Sequence, residues 1–432
     1  MIREDWVDGK LEDLLNYIQP TNYIVDSTAY DDRYKTPVLT AGKTFILGYT
    51  DEEENIFTNL PVIIFDDFTT ATKYVNFKFK VKSSAMKILV PTSESVIMKY
   101  VYYYMQTIRH NVDTHKRYWI SIFSKLNIKI APLPEQRAIV SKIEELFSEL
   151  DSGIDNLNKA KKQLEVYRQA VLKAAFEGKL TKEWRKDNSI KFSDWNYYKI
   201  GEIIETIDGD RGKNYPKKHE YMDDGYCLFL STKNVLKGAF NFEDTTFISK
   251  EKDEILRGGK LERKDVVITT RGTLGNVAHY DDKVPYKNIR INSGMLILRI
   301  KDHNFLNAIF LMRFINSSLF IQQLRRKQSG TAQPQIPAGV LKEIEIMVPN
   351  RIDEQEEIIK EIESRISVCE NIEANIDEAL EKSEALRHSI LKKAFEGKLL
   401  SREELEACKQ EDDWEPADKL LKRIKEAAKE VK

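Results

Sequence analysis

Cysteine is scarce in this chain of 432 residues: Cys227, Cys369 and Cys408 are odd in number and far apart. That argues against a disulfide framework and for a reducing compartment. No apolar run of about 18 residues offers a membrane span, and Met1-Ile2-Arg3-Glu4-Asp5-Trp6 lacks the apolar stretch of a signal peptide. These absences point to a soluble, cytoplasmic protein. Charge of one sign is missing as well, since 68 Lys and Arg against 69 Asp and Glu leave a net of −1. No bulk basicity therefore advertises a nucleic-acid partner. There is no Gly-x-x-x-x-Gly-Lys-Ser/Thr loop and no Gly-x-Gly-x-x-Gly, which removes support for ATP and dinucleotide sites. The Asn/Asp-Pro-Pro-aromatic tetrapeptide of amino-methyltransferases and any Cys-x-x-Cys are also absent. The 6 histidines show no paired metal-ligand spacing, and His110 and His115 read as surface residues. Asp66-Asp67 are candidate nuclease ligands, but a turn after a strand explains them as well. No complete catalytic centre and no metal site emerge.

What is present is enough apolar material for cores, 41% hydrophobic and 10% aromatic, with a charged fraction of 32% that suits long solvated helices. The length suggests about three compact units. Self-similarity divides the chain more sharply. Residues 168–180 read RQAVLKAAFEGKL and residues 387–399 read RHSILKKAFEGKL. The same offset carries Glu135-Gln136 onto Glu354-Gln355, while a smaller one carries Asp5-Trp6 onto Asp194-Trp195. A module with a divergent front part and a similar back part is thus used twice.

The back parts read as long helices. Ile143, Leu150, Leu157, Leu164 and Val171 recur at heptad spacing, and Ile362, Cys369, Ile376 and Ile390 repeat the stripe with Ser383 as its weak point. On a charged background this predicts a coiled-coil seam. No proline falls between Pro134 and Phe176, and Gly178 and Gly397 suit the left-handed position that ends a helix. A rod of roughly 60 Å follows from 1.5 Å per residue. The two helices are expected to pack on each other antiparallel, with the globular parts at opposite ends and a pseudo-twofold between them.

The front parts read as mixed α and β. Val75, Phe77, Phe79 and Val81 alternate with polar residues, as one half-buried strand would. Val62–Phe65 and Val266–Ile268 suggest buried strands that run into polar loops at 66–73 and 269–276. Helices are expected over 94–109 and 304–327, closing strands at Ile128/Ile130 and Ile344/Ile346, and a small amphipathic helix in the last 32 residues. Counted by segment, 187–349 carries +4 and 350–432 carries −7. Neutrality is therefore a cancellation, and Arg211, Lys213 and Lys217 around Tyr215, with Arg326 at a helix end, offer local cations for phosphates.

This arrangement resembles the DNA specificity subunit of type I restriction–modification systems. The strings that carry the resemblance are PLPEQRAIVSKIEEL (132–146), DVVITTRGTLGNVA (265–278), NSGMLILR (292–299), SGTAQPQIPAGVLKEIEI (329–346) and EPADKLLKRIKEAAKE (415–430), and they span nearly the whole chain. The resemblance implies an α+β chain: two globular α/β target recognition domains separated by two long antiparallel helices. Its parts are recognition domains at 1–133 and 187–349, helical spacers at 134–186 and 350–400, and a helical tail at 401–432. It implies a subunit without catalysis of its own that binds an asymmetric bipartite DNA sequence. Two modification (methyltransferase) subunits and the restriction (motor–nuclease) subunits would be its partners. S-adenosylmethionine, ATP and Mg2+ belong to those partners and none to this chain. Half-sites read from one side of a duplex lie about 34–36 Å apart. The rival readings are a helical scaffold that binds only proteins and a single-chain restriction enzyme.

Contact residues carried over by the resemblance are Thr270, Arg271 and Thr273, then Ser329, Thr331, Gln333 and Gln335, in the second domain. Gln333 or Gln335 is matched to an adenine edge and Arg271 to a guanine edge or a phosphate. In the first domain they are Thr69, Thr70 and Lys73, then Lys116, Arg117, Tyr118 and Trp119. String matching sets Asp67 against Arg271 and Trp119 against Gln335, with Trp119 as a groove wedge or a packing residue. For the partner subunits, Ile139, Val140, Leu172 and Phe176 with Ile358, Ile359, Leu391 and Phe395 are expected on the outer faces near the helix ends.

Overall fold

The computed structural model describes residues 3, 5–40, 44–108, 117–327 and 335–430. Two compact units divide it: Met1–Leu157 together with Glu378–Lys432, and Asn158–Asp377. The helices Leu133–Phe176 and Ile352–Phe395, 44 residues each, run through both. At 1.5 Å per residue each is about 66 Å long.

Unit 1 is built on a four-stranded antiparallel sheet. Its order is β2 (Leu15–Ile18), β8 (Met86–Pro91), β5 (Val62–Asp66), β6 (Thr72–Val75). Beside it lies a three-stranded sheet of β4 (Ile46–Thr50), β3 (Thr36–Leu39) and β7 (Lys80–Val81). A third pair joins β1 (Val7–Lys10) to β9 (Asn127–Ile130). Unit 2 repeats the plan. Its four-stranded sheet runs β11 (Ile204–Asp208), β17 (Met295–Ile300), β14 (Val266–Thr269), β15 (Val277–His279). Its three-stranded sheet runs β13 (Phe247–Ile248), β12 (Cys227–Leu230), β16 (Ile289–Ile291). The pair β10 (Trp195–Lys199) and β18 (Glu345–Pro349) closes it.

Several expected elements differ in extent. The alternating stretch 75–81 is not one strand but the end of β6 and all of β7, which belong to different sheets. The alternation breaks at the crossing: Val75, Phe79 and Val81 are buried, but Phe77 is exposed and Lys80 is buried. The helix expected over 94–109 spans Met98–Met105, and that over 304–327 is two helices, Ala308–Ile315 and Ser318–Lys327. Ser317 causes the break, its hydroxyl bonding to the Phe314 carbonyl at 2.6 Å. The tail holds two helices, Arg402–Lys409 and Ala417–Glu430, and Ala417, Leu420 and Ile424 of the second are buried in the core of unit 1.

Within each unit the long helices pair antiparallel. In unit 2, Lys161 meets Asp377 and Arg168 meets Glu373, both at 2.7 Å, so one chain ascends as the other descends. In unit 1, Arg387 pairs with Asp151 and lies 4.5 Å from the Phe147 ring centroid. Ile143 and Val171 are buried, as are Ile362, Cys369, Ile376 and Ile390. Leu150, Leu157 and Leu164 are only half-buried, as a two-helix seam requires. Both helices end in the expected left-handed glycine, Gly178 at φ 69° and Gly397 at φ 71°. The next amide, of Lys179 or Lys398, reaches back to the carbonyl of Ala174 or Lys393 at 2.8 Å.

The repeated Glu-Gln pairs are wholly internal. Glu354 accepts from Arg185 at 2.8 Å and from Thr181 at 3.2 Å. Glu135 accepts from Arg3 at 3.1 Å and from the Trp6 indole at 2.9 Å. Gln136 and Gln355 donate to backbone carbonyls at Ala131 and Phe305. Each helix start is thereby tied to its own unit.

Candidate nucleic-acid interface

In unit 2 the ends of β11, β14 and β17 open onto a cleft of about 320 Å³ lined by Asp208, Arg211, Thr270, Arg271, Leu296 and Gln335, among others. The strand register explains the gathering. Asp208 pairs with Leu296, and Ile268 pairs with the same residue from the other side. The chain leaving β14 is then pinned by one carbonyl, that of Gly294, which accepts the Thr270 amide at 2.7 Å, the Thr270 hydroxyl at 3.0 Å and the Arg271 amide at 3.2 Å. Glycine is needed at 294 because a Cβ there would stand 2.8 Å from Thr232 Cγ2. With its backbone fixed, Arg271 projects into solvent at the cleft edge. Arg211 is exposed on the opposite side and paired with Asp208 at 3.0 Å.

The sequence candidates separate accordingly. Arg211, Thr270, Arg271 and Gln335 meet in this cleft. Thr270 is itself buried and positions the loop rather than presenting a hydroxyl. Thr273 lies in the exposed loop, where its carbonyl accepts from the Thr269 hydroxyl. Lys213 and Lys217 are exposed on the segment after β11, and the Tyr215 ring packs 5.7 Å from Phe229. Arg326 stands apart, lining a separate groove with Phe176 and Met347. Ser329, Thr331 and Gln333 lie outside the described residues, as do Lys116, His110 and His115.

Unit 1 has a cleft of about 510 Å³ lined by Gln19, Asp67, Phe68, Ser84, Lys87 and Arg117, among others. It occupies the same place in the fold. Phe65 pairs with Lys87 as Ile268 pairs with Leu296. Ile18 pairs with Ile88, so Gln19 follows opposite Lys87 as Asp208 stands opposite Leu296. The Asp67 amide points to the Ala85 carbonyl as that of Thr270 points to Gly294. This register corrects the string alignment by one residue twice. Asp67 corresponds to Thr270, and Trp119 to Ile336: the Trp119 amide donates to Asp67 Oδ1 at 2.8 Å, and the Ile336 amide donates to the Thr270 carbonyl at 3.0 Å.

Three consequences follow for the first domain. Trp119 and Tyr118 are each 2% exposed, so they belong to the core and not to a contact surface. Asp66 caps its own turn, accepting from the Phe68 and Thr69 amides and from the Thr69 hydroxyl at 2.6 Å. Thr69 and Thr70 therefore shape the turn, and Lys73 is exposed farther along on β6. Of the expected residues that the structure describes, only Arg117 lines the cleft. The sequence misses Gln19 and Lys87, and singles out Asp67 only as a nuclease-ligand candidate and as the string match to Arg271; the ladder puts the three together.

The expectation of an apolar docking face near the helix ends is overturned. Ile139, Val140, Leu172, Phe176, Ile358, Ile359, Leu391 and Phe395 are all buried within their own units, none more than 8% exposed. Phe176 packs on Phe310 and Phe314, and Phe395 on Tyr100 and Tyr104. An isolated helix pair would leave these positions outside; the helix Ala308–Ile315 in one unit and Met98–Met105 in the other cover them. Among the described residues no group of three or more His, Cys, Asp or Glu side chains is placed to hold a metal ion. Among them, too, no helix is long and apolar enough to cross a membrane.

The same sheet plan used twice, with a differently lined cleft at equivalent strand ends, defines a class of duplicated α/β chain. Comparison with known proteins gives the class its name. The family model described as type I restriction modification DNA specificity domain matches residues 3–165 and 192–382. The chain belongs to this family, and its role is that of the DNA specificity subunit of a type I restriction–modification system, recognition rather than catalysis. It is 30% identical over 397 residues to the Type I restriction enzyme EcoR124I/EcoR124II specificity subunit of Escherichia coli, covering 88% of this chain and 91% of that one. To the Type I restriction enzyme MjaVIII specificity subunit of Methanocaldococcus jannaschii it is 23% identical, with the same coverage of 88% and 91%. A solved chain described under "Structural basis underlying complex assembly and conformational transition of the type I R-M system" superposes with a TM-score of 0.65 at 16% identity, over 92% of this chain and 100% of that one. That likeness speaks for the fold alone.

Proposed function

We propose that this chain reads an asymmetric bipartite DNA sequence, one half-site per unit, and brings partner subunits to it. The observation that carries the reading is the duplicated cleft. Both units open at equivalent strand ends, but one is lined by Arg211, Arg271 and Gln335 and the other by Gln19, Lys87 and Arg117. Different side chains on the same frame select different bases, because base edges in the major groove are told apart by their donor and acceptor patterns. Residues 1–133 and 187–349 are the recognition domains, 134–186 and 350–400 the spacer that sets the gap, and 401–432 a closing tail.

The partners are two modification subunits, one per pseudo-repeat, and restriction subunits. S-adenosylmethionine serves the modification subunits, and ATP with Mg2+ the restriction subunits; the assembly works in the cytoplasm. Mapping methylated adenines in DNA treated with the chain and its modification subunits tests the reading. The expected outcome is methylation confined to one sequence of two unlike halves with a fixed gap. A palindromic or scattered pattern contradicts it.

A further inference from the structure

The cleft of unit 1 holds a buried cation that the fold itself does not require. Lys87 is 6% exposed on β8, at the floor. Its ammonium donates to Gln19 Oε1 at 2.5 Å, stands 3.8 Å from Asp67 Oδ2, and lies 5.1 Å from the Tyr17 ring centroid. Asp67 is also buried, with its other oxygen taken by the Trp119 amide. Removing an ammonium and a carboxylate from water is costly, and an ion pair at that separation does not offset the cost well. The pseudo-repeat supplies the control. At the equivalent places in unit 2 the same sheet is completed by Leu296 and Thr270, both buried and neutral. The architecture closes without charge here, so the charges at 67 and 87 are there for something that enters the cleft.

The geometry points to Lys87, held by Gln19 and Asp67, as a specificity-determining residue for one half-site, with Arg117 at the rim engaging the backbone beside it. An ammonium has three N–H donors. One goes to Gln19, and the distance to Asp67 exceeds a hydrogen bond. The remaining donors suit the paired acceptors O6 and N7 of a guanine edge. The Gln19 amide, exposed beside it, orients the ammonium, gives one donor to the Ser84 carbonyl at 3.4 Å and keeps the other for the same base pair. In unit 2 the corresponding floor is the apolar Leu296, and polar selection falls to Arg271 and Gln335 at the rim. The two units therefore select their bases from different depths.

This inference rests on the DNA-reading function proposed above, and its test separates the two. The full chain is assembled with its modification subunits and methylated adenines are mapped, for the wild type, for the double variant Lys87→Leu/Asp67→Thr and for Gln19→Ala. The double variant removes both charges and installs the side chains that unit 2 tolerates. Discrimination is expected to fall about tenfold or more at one or two positions of a single half-site, with the other half unchanged. Gln19 is exposed, so Gln19→Ala removes no apolar packing, frees the ammonium it orients, and should alter preference at the same positions. Unchanged preference in Gln19→Ala, or in a folded double variant, overturns the assignment. A wild-type complex that methylates no bipartite sequence overturns the parent reading instead.

Discussion

The guanidinium of Arg185 lies 2.8 Å from the carboxylate of Glu354, although 169 residues separate them in sequence and both side chains are almost wholly buried. Arg185 also bonds to the Gly178 carbonyl and covers the Trp195 ring at 5.5 Å. It thus joins the end of one long helix, the start of the other and the first strand of unit 2. Replacing it by alanine strands a buried carboxylate with one hydroxyl for company. Arg185→Ala should cost about 3–5 kcal/mol, read as a lower urea midpoint. Arg185→Met with Glu354→Leu, which removes both charges, should recover most of the loss. A single variant as stable as the parent contradicts this account.

Arg271 is exposed and its loop is held by backbone amides and by the Thr269 and Thr270 hydroxyls, so Arg271→Ala should leave the thermal midpoint unmoved. Specific binding should weaken by about 1–3 kcal/mol where the guanidinium makes a bidentate base contact. Gln335→Ala is expected to do the same at a different base. Titrations of target and scrambled duplexes at one fixed salt concentration, with modification subunits present, distinguish specific from phosphate binding. Wild-type preference in both variants removes these residues from the reading surface.

Phe176 and Phe395 sit in equivalent cores at the ends of the two long helices. Either one changed to alanine should destabilise its unit by about 3–5 kcal/mol through the cavity left behind. Below the unfolding temperature, light scattering should still show the parent's complement of modification subunits. Lost stoichiometry in a variant of unchanged stability would restore the exposed docking face that burial argues against.

Burial holds the His279 imidazole below the ordinary histidine range, with Asp281 and Asp265 opposing that shift and His303 adding to it. A histidine whose folded-state value is depressed favours the neutral ring in the native state. The stability it contributes is present above the unfolded value, near 6.5, and is lost as pH falls toward the lower folded one. Thermal scans from pH 7.5 to about 5 should therefore show unit 2 losing stability, and His279→Gln should flatten that limb. An equal slope in both proteins assigns the acid sensitivity elsewhere.

Much of the architecture is legible from residues alone. The AFEGKL repeat, the heptad stripe and the glycines at 178 and 397 announce two long helices and a duplicated plan, because helical period and capping are local properties. The apolar runs at Val62–Phe65 and Val266–Ile268 announce their strands for the same reason. The alternation at 75–81 misleads, since period two says that residues alternate between faces but not which sheet provides the faces.

By itself the sequence determined the family, the repeat and the segments that form the two long helices. Only the tertiary structure decided which residues face the clefts. A strand shifted by one residue turns every side chain to the opposite face. String matching tolerates that shift; a hydrogen-bond ladder does not. The ladders and the bonds beside them move Asp67 onto Thr270 and Trp119 onto Ile336, decide Trp119 for packing over a groove wedge, and bring Gln19, Asp67 and Lys87 to one cleft from three separate strand ends. The apolar residues near the helix ends tell the same story: their spacing shows that they need a cover, and only packing shows that their own unit supplies it.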